Sequence, residues 1–154
     1  MLIRILVAAR NATLRRRLLD ILGRLERVEA NSAPVAVAPR LWPRLHEGDL
    51  DMVLIERSQL PAEPGAWIAD VRRLPEQPEV VIFSTGEDAQ ERAGLLAAGC
   101  LAVLNAGLAD ADLESTLGAF VRRRRSEGMQ ILGVEPRLPR SSLQDFVSRS
   151  PAMQ

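Results

Sequence analysis

The sequence predicts an α/β fold, a three-layer sandwich of five parallel strands with helices on both faces, written (βα)5. Two observations carry it. Short apolar, β-rich runs alternate with longer amphipathic stretches from the N-terminus to about residue 125. The segments between them are long enough for right-handed helical crossovers, which parallel strands require. The natural sheet order for such a chain is 2-1-3-4-5, with ligands or partners met at the carboxyl ends of the strands.

Leu2 to Ala8 is the first strand. Asn11 is placed to cap a helix from Ala12 to about Leu25, whose apolar side carries Leu14, Leu18, Ile21, Leu22 and Leu25. A weak second strand falls between Arg27 and Val37, a stretch interrupted by Pro34. A short helix around Arg40 to Glu47 tolerates Pro43 only in its first turn. Asp51 to Ile55 is the third strand, and it runs straight into an acid, Glu56. A third helix spans about Pro64 to Leu74, with Pro64 near a first-turn position. Glu79 to Phe83 is the fourth strand, and a fourth helix runs from near Glu87 to a stop at Gly99. Leu101 to Leu104 is the fifth strand. The fifth helix starts at Asp110 or Asp112 and runs to Arg125 or beyond.

A chain of 154 residues, 47% hydrophobic, suits one domain with a real core. The formal net charge of zero gives no argument for nucleic acid or an anionic membrane. No apolar run approaches the roughly 18 residues that span a bilayer, and Arg4 interrupts the first strand too early for a signal peptide. A cytoplasmic location is expected. Cys100 is the single cysteine, so an internal disulfide is excluded. With His46 as the single histidine, no metal site and no cofactor are expected. Every basic residue is arginine, so no step can rest on a lysine ammonium.

Four segments together resemble the receiver domain of response regulators over roughly residues 2 to 122. They are Arg4 to Ala8, Asp51 to Glu56, Val80 to Gly86, and Ala98 to Leu104 with its Ala-Gly turn. The resemblance implies a flavodoxin-like (CheY-like) fold. It also implies a phosphoacceptor position at Glu56, where such domains carry aspartate, and a hydroxyl switch position at Thr85.

The departures all concern the chemistry. Receivers hold Mg²⁺ between the acceptor and two acids after the first strand, a hard oxygen cage. The matching stretch here is Ala8-Ala9-Arg10-Asn11, without a carboxylate. The lysine position after the fifth strand corresponds to Ala106, and the aromatic switch position to Val103. Loop and helix dipoles do not replace a divalent ion in phosphoryl transfer. No enzymatic activity is therefore expected. Three roles stay open for Glu56: a polar residue at a solvated loop edge, a partial imitation of a phosphoryl group through its charge, or a ligand contact. If the first and third strands are neighbours, Arg10 is expected to pair with Glu56.

Arg122 to Arg125 reads as a solvated helix end favoured by the helix dipole. Trp42 and Trp67 are expected to cover the sheet or neighbouring helices, and Cys100 to be a small core residue. Ser84 to Asp88 has hydroxyls and acids but no histidine base, which disfavours a hydrolase. The loop from Ala9 to Thr13 has no glycine, which disfavours a phosphate-cradling nucleotide fold.

Residues 126–142, with Gly128, Gly133, Pro136 and Pro139, read as a linker. Leu143 to Met153, ending Ser148-Arg-Ser-Pro-Ala-Met153, resembles the opening of the AAA+ ATPase domain of NtrC-like, sigma-54-dependent activators, with Ser148 in place of a glycine. Residues 143–154 are accordingly expected to be the start of a truncated ATPase domain. The resemblance implies a phosphorylation-independent pseudo-receiver of a bacterial transcription regulator. It implies action by protein–protein contact, a homodimer, a downstream ATPase domain in the same chain, and DNA contact only through other domains. In such receivers the helix 4–strand 5–helix 5 face is the usual interface. Its apolar candidates are Leu95, Leu96, Leu113, Leu117, Phe120 and Val121, some of which must instead face the sheet. A phosphoacceptor with unusual chemistry and a small-molecule or anion sensor are the alternatives.

Overall fold

In the computed structural model, residues 2–33, 41–86 and 88–131 are described here. The elements are β1 (Ile3–Ala8), α1 (Ala12–Gly23), β2 (Val28–Ser32), α2 (Trp42–Leu45), β3 (Met52–Glu56), α3 (Pro64–Arg72), β4 (Glu79–Ser84), α4 (Ala89–Ala98), β5 (Ala102–Asn105) and α5 (Asp110–Ile131). A short 3-10 turn, Arg57–Gln59, follows β3. The five strands are parallel in the order β2-β1-β3-β4-β5, the sheet predicted from the sequence.

Side chains alternate between the two faces with the period of a strand. Ile3, Ile5 and Val7 of β1, Met52 and Leu54 of β3, and Val81 and Phe83 of β4 form one core with Leu14, Leu18, Ile21 and Leu22 of α1 and Leu113, Leu117 and Val121 of α5. Leu6 and Ala8, Val53 and Ile55, and Val80 and Ile82 form the other, against Trp67, Ile68 and Val71 of α3 and Leu95 of α4. The central strands are buried on both faces, so they read as unbroken apolar runs. Trp67 is 4% exposed and its ring lies 6.3 Å from that of Trp42, which packs on the same core. Cys100 is buried there too.

Most boundaries fall within two or three residues of those expected. The Asn11 side chain accepts from Leu14 N at the start of α1. Asp88 accepts from the N–H groups of Gln90 and Glu91 and caps α4, a structural use for one of the acids near Thr85. Gly99 ends α4 with φ +119, and Cys100 N–H returns to Leu95 O at 3.3 Å.

Residues 1–124 form one compact unit, and 125–154 cluster separately. Helix α5 runs on to Ile131, so the first residues of the expected linker are helical. Gly128 inside it costs only about 1 kcal/mol relative to alanine, too little to end a helix by itself. The remainder of the linker and the ATPase-like segment 143–154 lie outside the described residues. Among the described residues no helix is long and apolar enough to cross a membrane.

Candidate functional site

At the carboxyl edge of the sheet, β3 lies between β1 and β4. Ala8 is level with Ile55, and Glu56 with Phe83. Strand alternation puts the Glu56 side chain on the same face as Leu54, the face covered by α1 and α5. There Glu56 Oε1 accepts a hydrogen bond of 2.8 Å from Asn11 N–H. Asn11 therefore does double duty. Its side chain caps α1 and its backbone donates to the acid at the end of β3.

The expected Arg10–Glu56 ion pair is not formed. The reason is parity. Ala9 continues the inward face of Val7 and is 5% exposed within the α1/α5 core, and one residue on, Arg10 is exposed. Arg57, counted one past Glu56, takes the opposite face. Its Nη2 meets Glu91 Oε2 of α4 at 2.7 Å, tying the loop after β3 to the first turn of α4.

Thr85 is the hydroxyl position that the resemblance implies. Thr85 is exposed, one residue beyond β4. Ser84 is the last residue of the strand, half-buried, and its Oγ accepts from Gly86 N–H at 3.1 Å. Ala106 N–H donates to Ser84 O at 2.9 Å, so the Ala106 position lies directly beside the end of β4. Val103 is half-buried against the α3/α4 core, and Ala106 is half-buried against the α1/α5 core.

A divalent cation does not fit this set of side chains. Where the resemblance calls for acids, Ala9 is packed into the core, and Glu56 already accepts a backbone N–H. Among the described residues no three His, Cys, Asp or Glu side chains converge. Hard ions need several oxygens at once. The arrangement can orient loops, but it presents no oxygen cage for phosphoryl transfer.

The sequence reading also missed the partners of Arg17 and Arg124. Arg17 of α1 reaches the loop between β5 and α5, where its Nε lies 2.7 Å from Asp110 Oδ1. Its Nη1 donates to Ala106 O at 3.1 Å, and its Nη2 donates to Leu108 O. Arg124, assigned to a solvated helix end, is instead a half-buried brace at the opposite edge of the sheet, its side chain 14% exposed. It pairs with Asp51 at 3.4 Å and donates to Gln77 O at 3.1 Å and Glu76 O at 2.5 Å. Arg122 stays exposed.

Of the interface candidates, Leu95, Leu113, Leu117 and Val121 are core residues, each 3% exposed or less. The reason is helical geometry. Leu113, Leu117 and Val121 recur every fourth residue on the one side of α5 that meets the sheet. Leu96 is 44% exposed and Phe120 half-buried, so these two remain at the surface.

No family model matches the chain, and no curated protein matches it. Solved structures do. A CheY-like response regulator receiver domain protein from Methanospirillum hungatei JF-1 is 16% identical, with a TM-score of 0.69 over 82% of this chain and 99% of that one. The signal receiver domain of a protein described as a LuxO repressor from Vibrio parahaemolyticus is 9% identical, with a TM-score of 0.71 over 84% and 97%. A Burkholderia pseudomallei protein described as pilus assembly-related is 22% identical, with a TM-score of 0.65 over 80% and 89%. These likenesses establish the fold as that of receiver domains.

Proposed function

We propose that the chain is a pseudo-receiver, a regulatory domain that works by protein contact and without phosphorylation. The observation that carries this is the Glu56–Asn11 hydrogen bond of 2.8 Å. The residue at the phosphoacceptor position spends its carboxylate on the backbone of the loop after β1. In phosphoryl transfer most of the catalysis is positioning and charge neutralisation by metal and cation. Ala9 and Ala106 supply neither.

In this reading the domain is not an enzyme. It belongs to a bacterial transcription regulator of the NtrC type, forms homodimers, and acts on an ATPase domain that follows in the same chain. The support for that context is the resemblance of Leu143 to Met153 to the start of such a domain.

The test is incubation with a small phosphodonor, or with beryllofluoride, in the presence of Mg²⁺, read by intact mass and by backbone chemical shifts. The expected result is an unchanged mass and an unchanged spectrum. Stoichiometric modification at Glu56 overturns the reading.

A further inference from the structure

We propose that Arg17 is a built-in brace that locks the β5–α5 loop and the first turn of α5 against α1 in one arrangement. The proposal deepens the pseudo-receiver reading and rests on it for its regulatory meaning, since the brace would fix by side chain what a switching domain leaves movable.

All three guanidinium nitrogens of Arg17 meet one short stretch of chain. Nη1 donates to Ala106 O, Nη2 to Leu108 O, and Nε pairs with Asp110 Oδ1. A planar, pre-organised fork is the side chain suited to such a cluster, and its bond to a carboxylate is charge-assisted. Ala106 N–H ties the start of the loop to Ser84 O of β4 at 2.9 Å, and the remaining loop bonds are local. Gly107 N–H goes to Asn105 Oδ1 at 2.7 Å, and Leu108 N–H to Asn105 O at 3.1 Å. Arg17 is thus the long-range tie of this loop to α1, joining residues 89 to 93 positions apart.

A second rung extends the seam. Arg24, seven residues further on at the C-cap of α1, meets Glu114, four residues beyond Asp110, at 3.0 Å. Leu18 and Ile21 of α1 and Leu113 and Leu117 of α5 are buried in the core beneath these ion pairs. A shift of the start of α5 must break the Arg17 bonds and strain the Arg24 pair together. The cation at this loop comes from α1, whereas the loop's own position for one holds Ala106. In this proposal the start of α5 is held by Arg17, whose contacts do not include Glu56.

Native-state amide hydrogen exchange on the full chain tests this. In Arg17→Ala, the amides of Gly107, Leu108 and Leu113 are expected to exchange about tenfold faster or more, while those of Ile5 and Val81 hold their rates. Arg17→Lys keeps the charge and loses the fork, so it should fall between. Asp110→Asn removes one of the three contacts and should give a smaller rise at the same amides. Unchanged loop rates in both Arg17→Ala and Asp110→Asn overturn the brace. So does an equal acceleration of all amides, which would make Arg17 a general stabiliser. Phosphodonor labelling of the unaltered chain reports on the phosphorylation reading alone, so the two failures are distinguishable.

Discussion

Glu56 and Asn11, 45 residues apart, are joined by a 2.8 Å hydrogen bond from the Asn11 backbone N–H to the Glu56 carboxylate. The bond links the end of β3 to the N-terminus of α1, where unpaired N–H groups and the helix dipole favour a negative charge. One methylene separates glutamate from aspartate, and here its reach is used to cross from strand to helix.

Restoring the shorter acid should therefore not restore the chemistry. Glu56→Asp is expected to remain unmodified by a small phosphodonor with Mg²⁺, because Ala9 is buried in the core and, among the described residues, no three His, Cys, Asp or Glu side chains converge to hold the ion. Intact mass spectrometry checks this; a stoichiometric phosphoryl adduct on Glu56→Asp would show that the surrounding residues suffice. Glu56→Gln is expected to weaken the contact and speed exchange of the Asn11 amide severalfold, since hydrogen bonds to ionised acceptors are the stronger kind.

The arginine run at the end of α5 should divide sharply by burial. Arg124→Ala is expected to destabilise by about 1–3 kcal/mol, because it removes the ion pair to Asp51 and one donor each from the carbonyls of Glu76 and Gln77. Gln77 has φ +49, a conformation that non-glycine residues adopt at a cost, and Arg72 holds its carbonyl as well at 2.6 Å. Arg122→Ala, at an exposed position, should change stability by less than about 0.5 kcal/mol. Urea denaturation of the two variants makes the comparison, and equal losses would contradict it.

Two adjacent leucines on α4 provide a matched pair. Leu95→Ala is expected to cost about 2–5 kcal/mol, as truncation of a side chain 3% exposed in the core. Leu96→Asp, at a residue 44% exposed, should leave the denaturation midpoint nearly unchanged. If the domain dimerises through the outer face of α4, Leu96→Asp lowers the dimer fraction in sedimentation velocity. A dimer indifferent to that change uses another face.

Cys100 should be chemically quiet while the domain is folded. Burial pushes its thiol from 9.0 up to about 11, so little thiolate exists near pH 8. Alkylation by iodoacetamide at that pH is expected to be slow in the native protein and fast in urea. Fast native alkylation would indicate that the end of α4 opens readily.

Asp49 offers a titration with a defined sign. The hydrogen bond from Arg44 holds its carboxyl below the ordinary 3.8. A depressed folded-state value contributes stability above the ordinary carboxylate range, and this is lost as pH falls through the lowered value. In Arg44→Ala, the Asp49 titration followed by NMR should move upward. An unmoved titration would assign the depression to the other charges around it.

Much of the fold was legible because burial is periodic and local. The unbroken apolar runs of β1, β3 and β4 and the four-residue recurrence of Leu14, Leu18 and Leu22 predict strands and helices without reference to distant residues. The receiver-like segments also located the end of β3, and Glu56 stands there. Even the absence of an Arg10–Glu56 pair follows the alternation of faces at the ends of β1 and β3.

The sequence by itself determined the order of elements and the absence of carboxylates after β1. Tertiary structure alone decided where the long cations went. Arg17, Arg57 and Arg124 look alike in sequence, as charged residues outside the apolar pattern. Their acceptors lie 34 to 93 residues away. A guanidinium on a flexible stem has no periodicity to read. It settles on the carbonyls and carboxylates that packing brings within reach, so its partners are known only once the helices have docked on the sheet.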